Sequence, residues 1–440
     1  MARRIDRRNF LVGAGAAGAG LWMAGGAPRA ARRAVRQEAA AEKLSIAGVG
    51  VGGRGWANMQ AVGGENVIAL CDVDRQMAAS AIERFPDARF FFDYRELLEA
   101  MGDQLDAIVV STPDHMHAPV AAAAMKRGLH VYCEKPLTWS IEEARVLATL
   151  AREKGLVTQM GNNGTAADGF RAGVEVLQAG VLGAVSEVHV WTNRPIWPQA
   201  IPTPAETPPV PDSLHWYLWL GGAPDRPYHP AYHPFAWRGW YDFGTGALGD
   251  MACHTMNLPV LGLRLDAPTR VEAKSTPLFD DSYPAGCRIT YDFPARGDRG
   301  PLTFTWYDGS MSPPPGILGD REVPGSGCLV VGERGSLFSP DDNGMAHELL
   351  AKPGEVLTPP PPSLPRSPGH HAEWLAACRG EGQTLSHFGH AGPFTETVLL
   401  GNLALRVGKP IVWDSAALRA TSSPEADALI RRAYRRGFSI

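Results

Sequence analysis

Residues 43–56 read KLSIAGVGVGGRGW: a short apolar run, suited to a buried strand, breaks into five glycines between positions 48 and 55. Few folds use such a segment. Residues without side chains let the backbone turn sharply from strand to helix and bring its N–H groups against a pyrophosphate. The N-terminus of the following helix then favours the negative charge. Two Gly-x-Gly-x-x-Gly registers overlap, Gly48/Gly50/Gly53 and Gly50/Gly52/Gly55. The second leaves LSIAGV as a strand of ordinary length and encloses Gly53 and Arg54. About twenty residues on, the run NVIALCD ends in Asp72, where a carboxylate can accept from the adenosine ribose hydroxyls. Its charge would repel a 2′-phosphate and so favours NAD over NADP. Asp74 adds to that preference and Arg75 works against it. The plain alternatives are a glycine-rich turn and a capping aspartate.

The 440 residues suggest two domains or one large one. From Leu44 to Met160, the runs LSIAGV, NVIALC, DAIVVS, HVYC and LVTQM alternate with helical spacing near 54–62, 75–85, 117–127 and 140–154. This predicts a doubly wound parallel sheet of the Rossmann kind. Later runs such as VSEVHVW, CRITYDF, PLTFTWY and GCLVVG alternate as strands of an open, mostly antiparallel sheet do. The expected fold is α/β: a nucleotide-binding domain over 43–162 and an α+β domain over 163–440. Helices are expected near 369–379 and 394–406, and a last helix ending in ALIRRAYRR. Proline-rich stretches at 198–211, 312–324 and 358–368 read as surface loops.

A net charge of −4 offers no basic surface for nucleic acid. The six cysteines are far apart with no C-x-x-C pair, which argues for core residues over a zinc or redox site. At the N-terminus, Arg7-Arg8 precede Phe10-Leu11 and a glycine- and alanine-rich apolar stretch to about Ala27, the order of a twin-arginine signal. Residues 1–42 are therefore expected to be signal and linker. The implied location is periplasmic or otherwise exported, with a membrane tether if the signal stays uncleaved, and the export machinery is a partner.

The strand HVYC runs into Glu134-Lys135-Pro136. Ligands of an open parallel sheet sit at the carboxyl ends of its strands, which puts Lys135 near the reactive end of a dinucleotide. A second segment, DFGTGALGDMACHTMNL, carries Asp250 and His254 at helical i, i+4 spacing, so a carboxylate can orient an imidazole for proton transfer. Together with Thr112-Pro113-Asp114-His115-Met116-His117, these segments come in the order found in the Gfo/Idh/MocA oxidoreductases, the glucose–fructose oxidoreductase and inositol dehydrogenase type, which the chain resembles over about residues 43–440. The resemblance implies a bound nicotinamide cofactor and a sugar or polyol substrate. It assigns catalysis to Lys135, His254 and Asp250, and implies a homo-oligomer paired through open-sheet faces. His254 or Lys135 would take the hydroxyl proton. Thr112, Pro113 and His117 would shape the nicotinamide pocket with Glu134, although His117 could equally cap a helix. Asn257 departs from the aspartate that many members carry three residues after the histidine.

Between 191 and 243 lie twelve aromatic residues, among them Trp237, with Arg194 and Arg238. Aromatic faces beside polar groups suit a sugar, and equally suit packing or a subunit interface. Gln159 and Asn162 are further candidates for hydroxyl contacts. His229 and His233 share i, i+4 spacing, but each precedes a proline, so a helical metal pair with His254 is not expected. Export and a dinucleotide together imply a tightly held cofactor that is regenerated in place. A second sugar can do this. So can a redox-neutral cycle of oxidation, elimination and reduction on a glycoside, as in NAD-dependent glycosidases that resemble this family.

Overall fold

Short runs of Val, Ile, Ala and Cys build the first sheet: β1 (Ser45–Val49), β2 (Asn66–Cys71), β3 (Arg89–Phe91), β4 (Ala107–Val110), β5 (His130–Cys133) and β6 (Thr158–Met160). The structure, a computed structural model, describes residues 43–440, which form one compact unit. The expected signal with Arg7 and Arg8 lies outside the described residues. All neighbours in the first sheet pair parallel, in the order β3-β2-β1-β4-β5-β6. Every residue of β4 and β5 is buried, as strands covered on both faces require. The direction of winding reverses between β1 and β4, which opens a crevice at their carboxyl ends. The three-residue β3 escaped the sequence reading because it is too short to show a period.

Helices follow the expected places at Arg54–Ala61, Ala79–Arg84, Asp114–Lys126 and Ile141–Lys154, with an unforeseen one at Tyr94–Met101. Ser140 and Glu143 form a capping box on the helix Ile141–Lys154, and Gly155 ends it in the left-handed region at φ 59°.

The second sheet has nine strands: β7 (Val185–Thr192), β8 (Arg270–Ser275), β9 (Cys287–Phe293), β10 (Leu302–Asp308), β11 (Gly327–Gly332), β12 (Gly335–Ser339), β13 (Glu348–Ala351), β14 (Ile411–Asp414) and β15 (Arg419–Ala420). Their order is β13-β12-β11-β7-β10-β9-β8-β14-β15, and only β7 and β10 pair parallel. In β9, Cys287, Ile289, Tyr291 and Phe293 point inward and alternate with more exposed residues. The helix Phe388–Val407 packs on β8, on the helix Gly246–Thr255 and on Ile141–Lys154, and so joins the two sheets through one core.

The arginine-rich C-terminus is not helical as expected: the helix there is only Pro424–Leu429. Tertiary bonds override the helical pattern. Arg432 donates to the His115 carbonyl at 2.6 Å, and Arg435 Nε to the Gly221 carbonyl at 3.0 Å. Cys71, Cys133, Cys253, Cys287 and Cys328 are buried thiols of the core.

Burial also shapes the response to acid. It pushes His115, His254 and His370 down to about 3, and His371 and His390 down to about 4. These five rings are neutral in the folded chain but take up protons near pH 6.5 when unfolded, so stability falls as pH drops through that value. Asp308, pushed up to about 6 by burial, opposes this only near and below pH 6. The expected loss between pH 7.5 and pH 6 is about 3 kcal/mol. Urea unfolding at the two pH values measures it, and equal midpoints would refute it.

Candidate active site

β1 ends at Val49, Gly50 turns the chain at φ +75°, and the helix begins at Arg54. A Cβ at Gly50 would lie 2.7 Å from the Ser111 carbonyl, so nothing larger than glycine fits. Asp72, at the end of β2, buttresses the turn: its carboxylate accepts from the Val51 and Gly52 amides at 2.8 and 3.2 Å. Burial raises its pKa, and these amides oppose that rise. The amides of Gly53 and Arg54 have no acceptor among the described residues and remain at the helix N-terminus, where an anion is favoured. Gly55 packs the helix start against Gly50. This matches the second glycine register.

From this turn a cavity of about 820 Å³ runs along the carboxyl ends of β2, β1, β4 and β5. Gly50, Gly52, Gly53, Arg54 and Asp72 line one part; Thr112, Pro113, His117, Glu134 and Lys135 line the next. Trp237, Arg238 and His254 join them from the second domain. Thr112 Oγ1 is buried without a partner, a polar atom waiting for a ligand. With the glycine cradle and the two free amides, these residues fit a dinucleotide.

Glu134 is buried and accepts from Arg54 Nε and Asn58 Nδ2, each at 3.0 Å. Burial raises its pKa, but Arg54 and Lys135 outweigh that and hold it below the usual carboxylate range. His117 sits between the carbonyls of Pro136 and Thr112 at 2.7 and 2.8 Å, so it braces the loop after β5 against the loop after β4.

Asp250 and His254 lie on the helix Gly246–Thr255 as expected, but they are not hydrogen-bonded to each other. Asp250 Oδ1 instead accepts from Lys135 Nζ at 2.7 Å and from Arg238 Nε at 3.1 Å. The expected role of Asp250 is therefore corrected: it holds the lysine, because two cations attract a buried carboxylate more strongly than a neutral ring does. Burial alone would raise the Asp250 pKa, but Lys135 and Arg238 bring it well below the carboxylate range. His254 is pushed down to about 3 by burial and then by the Lys135 ammonium, and its Nδ1 has no partner. The site thus sets an ammonium donor and a neutral imidazole acceptor around one cavity.

Three expected substrate contacts stand elsewhere. Gln159 and Asn162 are fully buried and line no part of the cavity. Gln159 Nε2 donates to the His370 carbonyl at 2.6 Å, and Asn162 Nδ2 to the Cys253 carbonyl at 3.3 Å. Both side chains serve the interior, where Asn162 Oδ1 also accepts from Ser386 Oγ and Gln159 Oε1 is left without a partner. Arg194 pairs with Asp342 at 3.2 Å, also outside the cavity lining. Asn257 is turned onto His390 Nε2 at 3.0 Å, so the departure from the family pattern does not touch the cleft. His233 bonds Asp74 at 2.9 Å and His229 Nδ1 accepts from the Ala231 amide, so the two do not form a pair.

Several residues had no local signal. Asn343, Met345 and Phe438 line the cavity from loops and the C-terminal tail, hundreds of residues from the glycine turn. Asp114 lies within the segment 112–117. It caps the cavity wall, buried, with Thr245 Oγ1 donating to it at 2.6 Å. The aromatic segment forms its own small core around Trp219, Tyr232, Trp240 and Phe243, docked on the first domain by the His115 ring against the Phe243 and Trp219 carbonyls.

Known proteins agree with this architecture. Residues 43–162 match a profile described as "Oxidoreductase family, NAD-binding Rossmann fold", and residues 175–298 match "Oxidoreductase family, C-terminal alpha/beta domain". A glycosyl hydrolase family 109 protein of Shewanella baltica is 31% identical over 183 residues, 36% of this chain and 39% of that protein. An alpha-N-acetylgalactosaminidase of Shewanella oneidensis is 30% identical over the same length. A levoglucosan dehydrogenase of Pseudarthrobacter phenanthrenivorans is 23% identical over 194 residues, 43% of this chain and 40% of that one. The chain thus spans about two fifths of the length of these curated relatives. Among solved structures, the WlbA dehydrogenase of Bordetella pertussis, in complex with NADH and UDP-GlcNAcA, superposes with a TM-score of 0.60 at 16% identity, covering 85% of this chain and 99% of that one. An inositol dehydrogenase homologue of Azotobacter vinelandii, complexed with NAD+, gives 0.59 at 17%, covering 85% and 98%. With the glycine cradle, the topology and both domain profiles in agreement, the chain belongs to the Gfo/Idh/MocA family of NAD-binding oxidoreductases.

Proposed function

We propose that this protein transfers hydride at a CH–OH carbon of a sugar or polyol and keeps its NAD bound between turnovers. The observation that carries this reading is the convergence of Lys135 and His254 on the cavity that begins at the glycine turn. NAD, when bound, supplies the hydride acceptor and donor. The neutral His254 ring accepts the hydroxyl proton, and the Lys135 ammonium stabilises the oxygen as it gains charge. Asp250 and Arg238 hold that ammonium in place. Trp237 presents an apolar wall to the sugar carbons. Residues 1–42 are proposed to direct twin-arginine export of the folded, cofactor-loaded protein, and open-sheet faces to pair it into a homo-oligomer.

The second reading is an NAD-dependent glycoside hydrolase. The glycosyl hydrolase family 109 relatives favour it, over the part of the chain that they match. Both readings share the first chemical step, so one experiment separates them. Denaturing the purified protein is expected to release NAD in near-equimolar amount. Incubation with sugars and glycosides then distinguishes a keto-sugar, for the oxidoreductase, from a released aglycone, for the hydrolase. Protein free of nucleotide would overturn both.

A further inference from the structure

Arg238 sits in the short turn Ala236–Gly239 with its guanidinium 4.2 Å from the Trp237 ring centroid and 5.4 Å from that of Phe235. These cation–π contacts hold the group between two rings and limit the freedom it must lose on binding. Only Nε is engaged, by Asp250 Oδ1 at 3.1 Å. The two terminal nitrogens have no partner among the described residues, and the side chain lines the same cavity as Lys135 and His254. An arginine that lines a cleft and keeps both terminal nitrogens without a protein partner is able to make two parallel bonds to a planar anion.

Charge points the same way. Lys135 and Arg238 share a single carboxylate oxygen, so this cluster keeps a surplus of one positive charge. Arg54 and Glu134 neutralise each other. Asp114 also lies within electrostatic reach of Arg238. It is buried, Thr245 Oγ1 donates to one of its oxygens at 2.6 Å, and no hydrogen bond joins it to Arg238 among the described residues. A monoanion would balance the surplus, whereas a phosphate dianion would exceed it.

We propose that the substrate is a sugar or polyol that carries a carboxylate, a uronic or aldonic acid, and that Arg238 is the residue that selects it. This rests on the reading of the cleft as a sugar site. The carboxylate pairs with the free Arg238 fork and leaves a carbinol carbon of the same molecule beside Lys135 and His254.

The test is equilibrium binding to the purified, full-length protein, followed by calorimetry. Glucuronate and galacturonate are compared with glucose, galactose and glucose 6-phosphate. Each uronate is expected to bind about tenfold or more tighter than its neutral counterpart, and tighter than the phosphate. In Arg238→Met the ratio of uronate to neutral sugar is expected to collapse to about one, and Arg238→Lys to restore part of it, since a point charge replaces a fork. Circular dichroism confirms that each variant is folded. Equal affinity for neutral sugars, tighter binding of the phosphate, no uronate binding, or a preference that survives in Arg238→Met would each overturn the proposal. NAD release and turnover of neutral sugars alone would sink this inference but leave the oxidoreductase reading intact. Absence of NAD would sink that reading itself.

Discussion

Lys135→Met is expected to lower turnover by about a thousandfold while leaving the NAD content of the purified protein unchanged. Two effects add. The ammonium proposed to stabilise the substrate oxygen is gone, and loss of a positioned proton-transfer or charge-stabilising group costs about 10² to 10⁴ in rate. In addition, Asp250 Oδ1 keeps only Arg238, so the carboxylate is free to move. The fold survives, because Arg238 still neutralises the buried charge. The variant carries a second signature. The Lys135 ammonium is one of the groups that hold the His254 pKa down, so its removal raises that pKa from about 3. Any residual activity should then acquire an acid limb at higher pH than in the parent, because the imidazole must be neutral to accept a proton. Single-turnover absorbance of the bound nicotinamide against pH reads both effects. A variant within tenfold of the parent rate would remove Lys135 from the mechanism.

Gly50→Ala is expected to cost about 2–5 kcal/mol of stability and to strip the protein of nucleotide. At φ +75° an L-residue pays about 1–2 kcal/mol for the left-handed region. Its Cβ would also stand 2.7 Å from the Ser111 carbonyl and 2.8 Å from the Thr112 amide nitrogen. Those are backbone atoms just beyond β4, a strand held on both sides by β1 and β5, so they cannot yield cheaply. Overpacking of this kind adds about 1–3 kcal/mol. Gly53→Ala provides the contrast. Gly53 also has positive φ, +49°, but a Cβ there meets nothing within 4 Å. It should lose only the conformational term, about 1–3 kcal/mol at φ 49° and ψ −117°, and retain its NAD. Urea midpoints and nucleotide released per chain distinguish the two. Equal behaviour of both variants would show that the Ser111 contact is unimportant.

Much of the first domain could be read locally. In a parallel sheet each strand is a continuous apolar run and each crossover a helical period, so β1, β2, β4, β5 and β6 announce themselves within a few residues. The second domain was less legible. β8, β12, β13, β14 and β15 are short or half-exposed, and a strand half covered by its neighbours needs no strong period of its own. The end of the chain read as a helix because its arginines have helical spacing. It is a strap because Arg432 and Arg435 find carbonyls at His115 and Gly221.

The amino-acid order by itself determined that a dinucleotide cradle follows β1 and that Lys135, Asp250 and His254 are present at spacings compatible with catalysis. Backbone turns, strand runs and helical offsets depend on neighbours along the chain, and those are written in the sequence. Only the tertiary structure decided who pairs with whom. Asp250 bonds Lys135 and Arg238 and leaves its i+4 neighbour His254 free. Gln159 and Asn162 turn into the core, and Phe438 reaches the cleft from the far end of the chain. The physical reason is electrostatic and steric: a buried carboxylate takes the strongest cations within reach, and a buried amide takes the nearest carbonyl. Which groups are within reach is set by packing between distant segments.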